Sequence, residues 1–173
     1  FTNITTGYIL DGLGELKECE DFGFVEAYSQ DVNDSKVLLN SMYETLQNRK
    51  STLPSNKTLL SEALENEPLL LLVISGKEML NSLLSDKASA DRLNEIVNDL
   101  RKFKAFVLIA DLENNAISYS SAAILKYIKE SNNLIILENV SDIKITDIPL
   151  RLQKEFNKDI EQSKYPEYEI NGS

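Results

Sequence analysis

The sequence predicts a three-layer α/β domain, a parallel β-sheet with helices on both faces. Two observations predict this fold class. Four short apolar segments end at small or acidic residues, as buried strands commonly do. Between and after these segments, apolar residues recur at helical spacing. Strands and helices that alternate along a chain are joined by right-handed crossovers, which place helices on both sides of a parallel sheet.

Four strands are predicted along the chain. The first covers residues 8–10 and is followed by Asp11. The second covers residues 69–75 and is apolar without alternation up to Ile74, which is typical of a strand covered on both faces. The third covers residues 105–110, and the fourth covers residues 134–137 and ends at Glu138.

Five stretches have the apolar period of a helix. Asn33 or Asp34 is predicted to cap the first helix and Ser89 the third. Asp91 is expected in the first turn of that third helix and the basic pair 101–102 in its last turn, as the helix dipole favours. The apolar positions are Leu38, Met42 and Leu46, with Leu39 and Tyr43 beside them; Met79, Leu80, Leu83 and Leu84; Leu93, Ile96, Val97 and Leu100; Ala123, Ile124, Tyr127 and Ile128; and Leu152, Phe156 and Ile160.

The domain organisation is predicted to be simple. The chain has 173 residues, of which 42% are hydrophobic and 27% charged, enough to bury one continuous core. Residues 51–66, with Pro54 and two polar clusters, are the expected surface excursion. We predict one domain over residues 1–162 and a polar C-terminal tail over residues 163–173.

Composition excludes several classes of function. The chain has 28 acidic residues against 18 basic ones, a net charge of -10, which disfavours contact with nucleic-acid phosphates. It has no histidine, so histidine-based catalysis is excluded, and Cys19 alone cannot form an intramolecular disulfide. The longest apolar run is far shorter than the ~20 residues that span a bilayer. A cytosolic domain is the expectation.

In open α/β sheets, ligands bind beyond the carboxyl ends of the strands. The residues predicted there are Asp11, Ser75, Asp111, Glu113 and Glu138. Carboxylates on this rim could bind a nucleotide's metal, because Mg²⁺ prefers oxygen ligands, and Asp11, Asp111 and Glu138 are the candidates. The favoured alternative is that these carboxylates accept hydrogen bonds from turn and helix-start amides.

Neither phosphate-binding motif is complete in this chain. Asp11 to Gly14 begins like a dinucleotide fingerprint, but Lys17 stands where its third glycine should fall. The Walker A pattern G-x-x-x-x-G-K-[ST] is absent from the sequence.

The order of segments nevertheless resembles a known family. The apolar run 69–74 with its following helix, the strand 106–110, the helix 124–129 and the run 134–143 resemble the C-terminal half of FtsK/SpoIIIE-type P-loop ATPase domains. Residues 8–11 would then be that family's second strand, and residues 37–50 its helix ending in Arg49 and Lys50. The resemblance implies a P-loop NTPase fold of the RecA/FtsK type that lacks the Walker A element.

The departures from the family concern its catalytic residues. The Walker B strand of the family ends in Asp-Glu, the metal ligand and the catalytic base, whereas Ser75 and Gly76 occupy these places here. The sensor strand of the family ends in Ala-Thr-Gln-Arg-Pro, and here Asp111, Leu112 and Glu113 replace the three polar sensor residues. The resemblance therefore implies a degenerate domain with no catalytic residues and no required cofactor, although ATP and Mg²⁺ could bind the intact protein.

Within this superfamily, the chain is most similar to the degenerate C-terminal ATPase domain of type VII secretion ATPases of the EssC family of Gram-positive bacteria. The acidic charge favours this branch over the DNA translocases, which need a positive track. The resemblance implies a cytoplasmic module of a membrane-anchored, hexamer-forming motor. Its implied partners are secreted proteins of the WXG or LXG type and the neighbouring ATPase domains of the same chain, and no nucleic acid. Its implied role is to bind or gate export substrates and to regulate those neighbouring domains.

Two alternatives remain open from the residues alone. A Mg²⁺-dependent α/β hydrolase or nucleotide-using enzyme would need Asp11, Asp111 and Glu113 to converge on one ion. A scaffold or oligomerisation domain would present an apolar stripe on helix 89–102 or helix 150–162 to a partner.

Overall fold

The computed structural model describes residues 4–100 and 102–110, together with helical positions 124, 126, 127, 130, 150, 151 and 154. Four strands form one parallel sheet in the order β2-β1-β3-β4. They are β1 (Thr5–Asp11), β2 (Val25–Ser29), β3 (Leu69–Ser75) and β4 (Ala105–Ala110). The predicted fold class, a parallel sheet with helices, is confirmed.

Four α-helices lie between the described strands. They are α1 (Val32–Thr52), α2 (Lys57–Glu65), α3 (Lys77–Ser85) and α4 (Lys87–Asp99). A short 3-10 helix, Lys17–Asp21, lies between β1 and β2. β2 was not predicted, because its five residues, VEAYS, are too few and too polar to stand out.

The core forms between one face of the sheet and the helices. Leu10, Leu72 and Ile74 on the strands are fully buried and belong to one apolar cluster with residues of all four helices. The predicted stripes supply it, for example Leu39, Met42 and Leu46 of α1, Leu80 and Leu83 of α3, and Leu93 and Ile96 of α4. Burying each such side chain contributes roughly 1.5–3 kcal/mol, so this face carries most of the hydrophobic stabilisation.

The opposite face of the sheet is covered unevenly. Ile9 of β1 and Val73 of β3 are only 3% and 8% exposed. Phe106 and Leu108 of β4, which are aligned with Leu71 and Val73, remain 48% and 45% exposed. β4 is therefore the strand with the most exposed apolar surface in the described sheet.

Two predicted helix caps are wrong by a few residues. Asp31, not Asn33 or Asp34, caps α1: its Oδ1 accepts hydrogen bonds from the amides of those two residues at 2.7 and 3.0 Å. Asp86, not Ser89, caps α4, and its Oδ2 accepts from both the amide and the hydroxyl of Ser89. In each case the capping carboxylate precedes the predicted residue, because an N-cap bonds amides two or three positions ahead.

The bounds of α4 also correct the predicted dipole pattern. The helix begins at Lys87, so Asp91 lies beyond its first turn. It ends at Asp99, so Lys102 lies in the following turn, and Arg101 is outside the described residues. The apolar stripe of α4 is buried in the core, so this helix offers no exposed stripe for a scaffold interface.

The expected surface excursion over residues 51–66 contains α2. Asn56 caps this helix by accepting from the amide of Thr58 at 3.0 Å. Leu60 packs into the core, whereas Leu59 is 53% exposed. The helix therefore contributes one side chain to the core and remains largely on the surface.

A buried arginine and a half-buried lysine fix the N-terminal ends of β3 and β4. The guanidinium of Arg49 donates to the carbonyls of Phe103 and Pro68 at 2.8 and 2.9 Å. Lys104 donates to three carbonyls at the end of α2 and in the turn after it. Burial lowers the pKa of Arg49, an effect that the carboxylate of Glu67, 3.3 Å away, opposes. Arg49 thus joins α1 to the loops that precede two neighbouring strands.

Several predictions fall on residues outside the described ones. Ile124 is buried and helical and Tyr127 packs against the core, as predicted for the fourth helix. The predicted strand 134–137, the apolar positions of the fifth helix and the polar tail lie outside the described residues. Among the residues that are described, no helix is long and apolar enough to cross a membrane.

Candidate functional site

The carboxyl ends of three strands meet at one edge of the sheet. Asp11 of β1 is aligned with Ser75 of β3, and Ser75 is aligned with Ala110 of β4. Asp11 and Ser75 are 0% and 2% exposed. The structure therefore brings the first two predicted rim residues together, at a buried position below the surface of the edge.

The carboxylate of Asp11 is engaged by the loop that follows it. Its Oδ1 accepts from the amide of Gly14 at 3.0 Å, and its Oδ2 accepts from the amide of Leu16 and the hydroxyl of Tyr28, both at 2.8 Å. Burial acts to raise the pKa of Asp11, but these hydrogen bonds outweigh it and the pKa is lowered. Asp11 is thus an ionised carboxylate that organises a turn.

Tyr28 connects this carboxylate to β2. Its hydroxyl donates to Asp11 and accepts a hydrogen bond of 2.6 Å from the side-chain amide of Gln30. Burial, with the neighbouring Asp11 carboxylate, raises the pKa of Tyr28, so the phenol keeps its proton. The ammonium group of Lys17 lies 5.1 Å from the centre of the tyrosine ring. Tyr28 therefore has the role of a fixed donor to Asp11.

The residue after β3 has a backbone conformation that disfavours a side chain. Gly76, which precedes α3, has φ of 89° and ψ of 129°. A Cβ atom built there would lie 3.2 Å from Cγ of Leu13, so the loop after β1 already fills this space. Gly12 is packed more closely still, since a Cβ there would lie 2.8 Å from Cβ of Met79 and 2.9 Å from the Ser75 carbonyl oxygen, to which the Gly12 amide donates.

The remaining predicted site residues lie outside the described part of the chain. These are Asp111, Leu112 and Glu113 of the sensor position and Glu138 of the rim. Within the described residues, no group of three potential metal ligands is brought together. At the described rim, β3 ends in Ser75 and Gly76, which offer no carboxylate for Mg²⁺, and the Asp11 oxygens bond the protein's own groups.

Three residues that hold the strand ends in place were not predicted. Tyr28 lies on the unpredicted strand β2, and Leu13 lies in a loop, so neither could be placed next to Asp11 or Gly76. Arg49 ends a helical stripe on its buried side: it falls at i+3 from Leu46, as Leu46 falls at i+4 from Met42. That spacing was the available signal that the arginine faces the core.

The described elements define the fold, a four-stranded parallel sheet with helices between its strands. This is the fold of P-loop NTPase domains. No protein-family model and no curated protein sequence matches the chain.

Three solved structures share this fold. ATPases 2 and 3 of EccC from Thermomonospora curvata, solved in complex with a signal sequence peptide, share 18% identity with a TM-score of 0.62 over 75% of this chain. The cytoplasmic domain of the type VII secretion ATPase EccC from the same organism shares 17% identity, with a TM-score of 0.63 over 76% of this chain. The cytoplasmic domain of EssC shares 17% identity, with a TM-score of 0.58 over 85% of this chain.

These likenesses concern the fold. The chain spans 23%, 15% and 28% of the lengths of those three chains, so it corresponds to one part of each. The resemblance to FtsK/SpoIIIE-type ATPase domains of type VII secretion proteins is thereby confirmed at the level of fold.

Proposed function

We propose that the chain is a catalytically degenerate ATPase module of a type VII secretion motor. It binds or gates export substrates and regulates neighbouring ATPase domains, and it does not hydrolyse ATP itself. The observation that carries the proposal is the end of β3, the strand that corresponds, by resemblance, to the Walker B strand.

The geometry at this strand end supports loss of hydrolysis. A catalytic base in place of Gly76 would need a side chain where φ is positive and where Leu13 already packs. A metal-binding acid in place of Ser75 would stand beside Asp11, whose carboxylate already bonds two amides and a phenol. The edge is therefore built around packing and internal hydrogen bonds, which leaves little room for the two carboxylates that hydrolysis requires.

The similar structures support a role in substrate handling. ATPases 2 and 3 of EccC were solved with a signal sequence peptide, and this chain shares their fold. By analogy, we propose that the chain recognises the export signals of WXG- or LXG-type secreted proteins. Its net charge of -10 supports a protein partner over a nucleic acid.

The remaining parts of the proposal concern the longer assembly. We propose a cytoplasmic position in a membrane-anchored, hexamer-forming motor of a Gram-positive bacterium, next to other ATPase domains of the same chain. In that assembly this module requires no cofactor of its own. ATP and Mg²⁺ are the ligands to test in the intact protein.

Phosphate release tests the catalytic half of the proposal. The purified chain, incubated with Mg-ATP, is expected to release no more phosphate than buffer, and an Asp111→Ala variant is expected to behave identically. Turnover by the chain that is lost in Asp111→Ala would overturn the proposal. It would favour instead the alternative of a Mg²⁺-dependent enzyme with carboxylates at the strand ends.

A further inference from the structure

A cleft lies at the other edge of the sheet, at the N-terminal ends of β1 and β2. It has a volume of about 360 Å³ and is lined by Thr5, Thr6, residues 23–26, Asn66 and Pro68. Seven strand residues separate this edge from the rim at Asp11, a distance of about 20 Å. The cleft is therefore separate from the strand ends on which the proposed loss of hydrolysis depends.

Two exposed aromatic side chains flank this cleft. Phe22 and Phe24 are 49% and 36% exposed, and their ring centres are 5.8 Å apart. Phe24 is held in place because its ring packs over Gly7, where an added Cβ would lie 3.2 Å from the ring. Exposed and positioned aromatic rings are the usual anchors of protein interfaces.

The strand that borders the cleft carries a β-bulge. Pairing between β1 and β2 shifts by one residue, so that Gly7 is opposite Val25 but Tyr8 is opposite Ala27. Glu26 is the extra residue, and it is exposed and lines the cleft. Bulges at sheet edges commonly redirect a side chain, and here the redirected side chain is a carboxylate in a cleft that also contains the ring of Phe24.

Exposed carboxylates lie on the strand that borders this cleft and on the 3-10 helix before it. Glu26 lines the cleft, and the 3-10 helix carries Glu18, Glu20 and Asp21 against one lysine. Glu18, Asp21 and Glu26 are all exposed, and the lysine is itself paired with Glu20. Such a local potential attracts cationic groups and repels nucleic acids and anionic membranes.

We propose that the cleft, with Phe22, Phe24 and the surrounding carboxylates, is a docking site for a protein segment in which one apolar side chain is flanked by lysine or arginine. The apolar side chain enters between Phe24 and Pro68, and the basic groups contact Glu26 and Asp21. The charge complementarity selects this occupant, and the volume suits one or two side chains.

The test is a titration of the isotope-labelled chain followed by NMR. The probe is a short synthetic peptide with a central leucine between lysines, and its counterpart has glutamates in their place. The lysine peptide is expected to shift amide signals at residues 5–6, 22–26 and 66, and to bind several-fold more weakly at about 0.3 M salt. The glutamate peptide is expected not to bind.

Variants at the cleft, compared with control variants elsewhere, show which side chains contribute to peptide binding. Phe22→Ala and the double variant Asp21→Asn/Glu26→Gln are each expected to weaken binding about tenfold. Asp91→Asn and Val37→Ala, which change an exposed acid on α4 and an exposed apolar residue on α1, are expected to leave it unchanged. Shifts at other residues, equal binding of both peptides, no binding of the lysine peptide, or site variants that bind like the original chain would overturn the proposal.

Discussion

Gly76→Ala probes the strand end on which the proposed loss of hydrolysis rests. With φ of 89° and ψ of 129°, position 76 lies in a region that non-glycine residues occupy at a cost of about 1–3 kcal/mol. The added Cβ would also press on Leu13, 3.2 Å away, which can move because it is 47% exposed. We expect the free energy of unfolding to fall by about 2 kcal/mol in total.

The assay is urea unfolding followed by circular dichroism. With a slope of about 2 kcal/mol per molar urea, the midpoint should fall by about 1 M. Adding Leu13→Ala to the Gly76→Ala variant should recover about 0.5 kcal/mol, the share of the loss caused by the contact with Leu13. It should not recover the share caused by the positive φ at position 76. Gly23→Ala is the control: Gly23 is exposed and does not have a positive φ, so the change should alter stability by less than about 0.5 kcal/mol. A Gly76→Ala variant as stable as the original chain would refute the reasoning.

The other predictions use the same unfolding measurement. Arg49→Met leaves the carbonyls of Phe103 and Pro68 without their donor and should lower the free energy of unfolding by about 3 kcal/mol. Lys50→Ala, which removes an ion pair with Asp99, should lower it by under about 1 kcal/mol. Equal losses in the two variants would contradict this prediction. Asp31→Ala removes the N-cap of α1 and should cost about 1 kcal/mol, and no loss would show that the cap is dispensable. Because the pKa of Asp11 is lowered in the folded chain, its stabilisation is present above the unfolded pKa of about 3.9 and lost as pH falls through the folded pKa. Asp11→Asn should therefore lower stability at pH 7 and flatten the decline in stability below about pH 4, and an unchanged acid profile would contradict the assignment.

The elements that the sequence predicted well are those whose apolar pattern is long or dense. β3 has its predicted bounds, and the stripes of α1, α3 and α4 are buried as expected, because burial of one helix face enforces the 3.6-residue period. β2 has five residues and a bulge at Glu26, so its period is broken. The predicted starts of α1 and α4 were wrong by a few residues, because several side chains near each start could serve as the N-cap.

The candidate site was predictable in position but not in detail. Asp11 and Ser75 could be placed at one edge because parallel strands end together. The bonds from Tyr28 and the packing of Leu13 on Gly76 depend on how two loops fold back, which local sequence does not specify. The cleft beside Glu26 and the exposed phenylalanines could not be predicted, because β2 was not recognised as a strand.

The proposal of a substrate-handling module without catalysis is tested most directly by calorimetry on the purified chain. The two titrants are Mg-ATP and peptides that carry the C-terminal export signals of WXG- or LXG-type proteins. We expect saturable heat with a signal peptide, and weak or absent heat with Mg-ATP. Tight Mg-ATP binding together with no response to any signal peptide would contradict it.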